Sequence, residues 1–152
     1  MQYTLSIEID RPREEVVRVF DNPDNLKEWQ PGLLNYEHME GEPGTEGARA
    51  RLEYQMGKRK FDMIETIITR KLPDEFHGTY EVSGTLNVQK NYFKVLDENR
   101  TLWTSESEFR FKSFGMKLMA FLMPKAFKKQ SYQFMVLFKQ FAEKVLPEPQ
   151  PA

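Results

Sequence analysis

Apolar residues alternate with polar ones through most of the chain up to residue 111, then switch to helical spacing for the remainder. Residues 3–9 alternate strictly, with Leu5, Ile7 and Ile9 on one face, and predict a first strand. Asp10 suits a helix N-cap, followed by Pro12 in the first turn, Glu14 and Glu15 near the positive helix end, and Val16, Val17, Val19 and Phe20 as an apolar stripe. Asn22-Pro23 stops that helix, and a second short helix over 24–29 is closed by Pro31-Gly32. Strand-like runs follow at 34–39, 48–56, 58–70, 76–82, 86–95 and 101–111. They are punctuated by a glycine-rich loop at 41–47, a tight turn at Gly57, the breaker Leu72-Pro73-Asp74, Gly84, and Asp97-Glu98-Asn99. The stretch 114–145 then predicts one long Met- and Phe-rich helix, with Phe127, Ser131, Phe134, Phe138, Phe141 and Val145 on one face. Pro124 interrupts it and predicts a kink or break.

One long helix and an antiparallel sheet leave a simple packing problem. The helix has only the concave face of the sheet to cover, and a curved sheet gripping a helix leaves a cavity between them. Alternation assigns the inward side chains: Ala50, Leu52, Tyr54 and Met56 on one strand, Phe61, Met63 and Ile67 on the next, then Phe76 and Tyr80. The same parity turns Glu65 inward. Over 86–95 the parity is ambiguous, but Phe93 and Val95 favour an inward set that includes Asn87, Gln89 and Asn91. Trp103, Phe109 and Phe111 bring Ser105 and Ser107 with them on the last strand. Buried polar groups need partners, and water or a ligand in a cavity would supply them. A slip of one residue in any strand would instead turn its polar set to solvent.

Composition narrows the function. The chain has 152 residues, enough for one domain with a substantial core, and its formal net charge of −1 gives no basis for nucleic-acid binding. It contains no cysteine, which removes disulfides, thiolate metal sites and cysteine nucleophiles. His38 and His77 lack companions at metal-ligand spacing and read as surface residues, so no metal and no cofactor are expected. The N-terminus enters a strand with no basic-then-apolar leader, and no apolar run is long enough to span a bilayer, so a cytoplasmic protein is expected. Charge is unevenly placed: from Lys112 to Leu146 seven lysines face one acid, Glu143, while the rest of the chain is acidic.

Several segments carry a resemblance. Ile7-Glu8-Ile9-Asp10-Arg11-Pro12 with Glu15-Val16-Val17, Phe20-Asp21-Asn22-Pro23 with Leu26 and Trp29, the loop Gly41 through Gly47 to Ala48, and the Phe-rich terminal helix together resemble the START-like, or SRPBCC, superfamily. This is the helix-grip superfamily of polyketide cyclase/dehydrase and lipid-transport proteins. The resemblance implies an α+β fold in which a seven-stranded antiparallel sheet wraps a C-terminal helix, with two short helices between the first two strands. It also implies a largely apolar pocket between sheet and helix; chain length predicts a single domain over 1–146, and the three prolines of residues 147–152 predict a disordered tail. Members include carriers, cyclases, hydrolases and regulatory proteins, so the fold does not by itself fix an activity.

The expected pocket is lined by Tyr54, Met63, Tyr80, Phe93, Trp103, Phe109, Met123, Phe127 and Phe134, with Glu65, Asn87, Asn91 and Ser105 orienting a polar end. An inward Glu65 should have a raised pKa and could anchor a polar head or act as a general base. Arg49, Arg51 or Lys90 could instead pair with it across the sheet. The leading expectation is a non-enzymatic binder or carrier of a lipid, isoprenoid or polyketide-like compound. The alternatives are a cyclase or dehydratase using Glu65, and a regulatory interaction module. The segment before Pro124, with Met116, Met119, Phe121 and Met123 among Lys117, Lys125, Lys128 and Lys129, is expected to be a mobile lid in transient contact with an anionic membrane.

Overall fold

The computed structural model describes residues 1–148, so the tail expected over 147–152 falls, from residue 149 on, outside the described residues. Strand β1 (Gln2–Ile9) leads into helix α1 (Arg13–Phe20), a 3-10 turn (Pro23–Asn25) and the one-turn helix α2 (Leu26–Trp29). Strands β2 (Leu33–Glu40), β3 (Arg49–Met56), β4 (Arg59–Lys71), β5 (Glu75–Val82), β6 (Thr85–Asp97) and β7 (Arg100–Phe111) follow. Helices α3 (Phe114–Leu122) and α4 (Pro124–Val145) end the fold. All seven strands form one antiparallel sheet in the order β1-β7-β6-β5-β4-β3-β2. Strands β2 to β7 are joined as successive hairpins, so α1 and α2 carry the chain from one sheet edge to the other. Register shifts between β2 and β3, β4 and β5, and β6 and β7 bend the sheet around its inner face.

The pleat parity holds on every strand, including β6, where Asn87, Asn91 and Phe93 are buried. Two of the expected inward residues lie beyond the covered region. Val95 is exposed because β6 outruns the core there, next to a register shift before Asp97, and Met56 sits at the rim beside the Gly57 turn. Gly32 must be glycine: its φ is +87°, and a Cβ there would stand 2.5 Å from the carbonyl oxygen of Gln55.

The core gathers at one end of the grip. Phe138, with no exposed surface, meets Trp29, Trp103 and Phe20 at ring-centroid distances of 5.0, 5.2 and 5.5 Å. Phe20 also meets Phe93 and Phe76 edge-on, at 5.0 and 5.9 Å. Met135, Phe138 and Ala142 form the buried stripe of α4, spaced three and four residues apart. The expected face is therefore rotated slightly, and Val145 is 50% exposed. The buried guanidinium of Arg11 closes the end of α4, donating to the carbonyls of Glu143 and Leu146 at 2.5 and 3.3 Å. A cation at this end satisfies orphan carbonyls and complements the helix dipole.

Two local expectations are corrected, and the break expected at Pro124 is found. Pro12 rather than Asp10 holds the N-cap position of α1, and Asp10 instead uses its backbone N–H to bond Glu143 at 2.9 Å. The second short helix is a 3-10 turn followed by a single α-turn, started by the Asn22 side chain, which accepts from the Asp24 N–H at 3.0 Å. The long terminal helix is two helices, broken at Met123, whose φ of −130° and ψ of 51° leave helical space just before Pro124. Proline favours that break because its ring clashes with helical conformation in the preceding residue.

Truncating Phe138 removes the ring around which three aromatic side chains pack. Phe138→Ala should cost about 3–5 kcal/mol of unfolding free energy, read as a lowered urea midpoint. A loss below about 1 kcal/mol would mean that the helix is not held at this point.

Candidate functional site

Between the sheet and α4 lies a cavity of about 510 Å³, bounded by α1–α2 at one end and by Gln130 and Ser131 of α4 at the other. This size falls within the range of about 300–1,000 Å³ usual for small-molecule sites. Its apolar wall includes Phe20, Leu26, Trp29, Leu52, Phe61, Met63, Ile67, Phe76, Trp103, Phe134 and Met135. Tyr54 stacks on Phe61 with ring centroids 5.4 Å apart, and its hydroxyl donates to Oε1 of Gln30.

Two polar groups interrupt this wall. The first surrounds Glu65, which register places opposite Ala50 on β3 and Tyr80 on β5. The hydroxyls of Tyr80 and Tyr36 approach its carboxylate, and Tyr54 lies close enough for its phenol to feel the charge. Burial raises the pKa of Glu65 above the ordinary carboxylate range, and the two tyrosine hydroxyls only partly offset this. The same burial, with the carboxylate nearby, pushes Tyr36 up to about 12 and raises Tyr54 and Tyr80 as well. All three phenols therefore remain neutral donors. No cation pairs with Glu65 among the described residues. Arg49 and Arg51 turn to Glu40 and Glu37 at 3.2 and 3.9 Å, so the cross-sheet ion pair does not form.

The second polar group lies on β6 and β7. Gln89 donates to Oδ1 of Asn87 at 2.8 Å, Asn87 donates to the carbonyl of Glu108 at 3.2 Å, and Ser105 and Ser107 line the same wall. At the rim, Arg70 clasps Asp21 with two bonds of 2.7 and 2.8 Å, beside His38, Pro43 and Gly44. At the α4 end the Tyr3 hydroxyl meets Ser131 Oγ at 2.5 Å and donates to the carbonyl of Phe127 at 3.3 Å.

Of the side chains expected at the site, Tyr54, Met63, Glu65, Tyr80, Asn87, Trp103, Ser105 and Phe134 are brought together around this cavity. Five others lie elsewhere. Asn91 is buried and accepts from Nε1 of Trp103 at 3.0 Å, and Phe93 packs among the core aromatics. Phe109 and Phe127 pack on each other, with centroids 5.4 Å apart, beyond the cavity end. Met123 sits 55% exposed at the helix break. No α3 residue lines the cavity, so the expected lid is not over it. His38 is exposed but reaches the rim, its Nε2 2.6 Å from the carbonyl oxygen of Gly41, whereas His77 is covered by Tyr92 on the outer sheet face. Sequence reasoning missed Tyr36, Trp29, Gln30, Arg70 and Asp21, which converge only through the α1–α2 crossing and the β2 register. Trp29 and Asp21 stood in the resemblance motifs without an assigned role. Among the described residues no group of three or more His, Asp or Glu side chains is placed to hold a metal, and no helix is long and apolar enough to cross a membrane.

A curved sheet closed on a C-terminal helix around such a cavity defines a helix-grip protein of the START-like class. The chain belongs to the polyketide cyclase/dehydrase and lipid transport family, whose sequence model matches residues 1–142. Solved structures agree in fold. The Zhui aromatase/cyclase from Streptomyces sp. R1128 superposes with a TM-score of 0.78 at 13% identity, covering 95% of this chain and 94% of its own. A START superfamily protein from Mycobacterium smegmatis gives 0.75 at 10% identity, covering 95% and 99%. Norcoclaurine synthase from Thalictrum flavum, solved with dopamine and hydroxybenzaldehyde, gives 0.70 at 11% identity, covering 97% and 88%. No curated protein matches the chain significantly in sequence.

The raised pKa of Glu65 has a signed consequence. Folding favours its protonated form, so that contribution is complete below the ordinary carboxylate pKa and is lost as pH rises through the folded value. Glu65→Gln should leave the melting temperature unchanged at about pH 4 and raise it at about pH 8. Equal melting of the two proteins at both pH values would contradict a buried carboxyl.

Proposed function

We propose that the protein binds a hydrophobic small molecule, of lipid, isoprenoid or polyketide-like character, in the cavity between sheet and α4. The observation that carries this reading is a cavity of about 510 Å³ with a mostly aromatic and aliphatic wall, interrupted by polar groups around Glu65 and on β6 and β7. Apolar burial would supply the affinity at roughly 25 cal/mol per Å², and the polar groups would orient the ligand. The Glu65–Tyr36–Tyr80 group suits a carbonyl or hydroxyl on the ligand: its protonated carboxyl can donate, its ionised form can accept, and the phenols donate in either case. Asn87, Gln89, Ser105 and Ser107 would receive a second polar point. Methionines 63 and 135 line the wall and can repack around more than one shape.

A catalytic reading rests on the same carboxyl. A raised pKa places Glu65 closer to the value useful for proton transfer at neutral pH, and an aromatase/cyclase shares the fold. Against it, the other acid at the cavity, Asp21, is held by Arg70, and catalysis of this kind usually requires a second positioned group. Binding without turnover is therefore the reading favoured here.

Native mass spectrometry of freshly purified protein, with organic extraction, tests the proposal. A discrete apolar compound should co-purify, and Ser105→Phe, which fills the wall, should reduce its occupancy about tenfold or more while the protein stays folded. A cavity that takes up no apolar compound or fluorescent apolar probe would refute the binding reading. Retained binding with lost turnover in Glu65→Gln would favour the enzyme.

A further inference from the structure

Helix α3 is apolar on both sides, and only one side is used. Ala120 is buried and Met116 partly so, four residues apart, facing β7 and α4. On the opposite side Phe114, Leu118, Phe121 and Leu122 recur at steps of four, three and one. Phe114 and Phe121 are 78% and 80% exposed, and Leu122 and Met123, at the adjoining break, are 67% and 55% exposed. A helix with an apolar circumference belongs in a core or in lipid, and contiguous exposed patches of this kind mark interaction surfaces.

The rim of the patch carries one sign of charge. Lys112, Lys117, Lys125, Lys128 and Lys129 are all exposed, and none is in an ion pair among the described residues. The one acid between Lys112 and Leu146, Glu143, lies at the far end of α4 and is held by Lys139 at 2.5 Å. Eighteen helical residues separate Lys125 from Glu143, about 27 Å at 1.5 Å per residue. A second copy of the chain meeting this face symmetrically would set the lysine ring against itself. An anionic surface with an apolar layer beneath complements both features.

We infer that α3 and the helix break dock the protein on an anionic lipid bilayer, with Phe114, Leu118, Phe121 and Leu122 entering the headgroup–acyl boundary and the lysines on the headgroups. None of these residues lines the cavity, so this surface stands independently of the cavity reading.

Pelleting with sucrose-loaded vesicles tests it on the full chain. The wild-type protein should pellet with phosphatidylcholine vesicles containing phosphatidylserine, not with phosphatidylcholine alone, and high salt should release it. The Lys125→Glu, Lys128→Glu and Lys129→Glu triple variant should lower partitioning about a hundredfold or more. Phe114→Ser with Phe121→Ser should lower it about tenfold or more, with the thermal melt unchanged because both rings are exposed. Absence of pelleting, equal pelleting with neutral vesicles, or wild-type partitioning in either variant would overturn the inference. So would a wild-type dimer in analytical ultracentrifugation that the double serine variant dissociates, which would assign the face to a second copy.

Discussion

The aromatic contact between Phe138 on α4 and Phe20, Trp29 and Trp103 decides where helix meets sheet. It joins three chain segments far apart in sequence: the crossover helices, the last strand and the terminal helix. Arg11 then ties down the last carbonyls of α4, so the C-terminal half of the helix is fixed by both packing and hydrogen bonding. Nearer its N-terminus, α4 meets the sheet again, through Tyr3 on Ser131 and the Phe127 carbonyl and through Phe127 on Phe109. The cavity lies along the stretch of α4 that carries Gln130, Ser131, Phe134 and Met135.

The wall chemistry keeps that gap open. Strands β6 and β7 present Asn87, Gln89, Ser105 and Ser107 where a packed core would need apolar side chains, and β4 adds Glu65. Collapse of α4 onto these groups would strand polar atoms away from water, at about 1–3 kcal/mol for each unsatisfied group. Such groups weigh against the apolar contacts that closing the cavity would add. A stable core at one end and a polar-studded hollow beside it thus arise from one division of side-chain types along the same strands.

Alternation was enough to place Tyr54, Met63, Glu65, Tyr80, Asn87, Trp103 and Ser105 on the inner face, because a pleated strand turns its side chains with a period of two. It could not say which inward residues meet the cavity and which meet each other. Asn91 has the same parity as Asn87 but lies where Trp103 can donate to it, so it is a core residue. Phe93 and Phe109 likewise point inward yet are covered by other aromatics. Tyr36 escaped notice because its role depends on β2 pairing with β3 in a register broken by a bulge, which no local pattern announces.

By itself the sequence determined the strands, the break at Pro124, the inward carboxylate and the separation of a basic helix from an acidic sheet. These follow from backbone sterics, side-chain periodicity and formal charge, all of which act locally. Tertiary structure decided where the aromatic core closes, that Glu65 gains tyrosine hydroxyls rather than an arginine, and that α3 turns its phenylalanines to solvent instead of over the cavity. Those outcomes depend on distances between residues remote in the chain, set jointly by sheet curvature and aromatic packing.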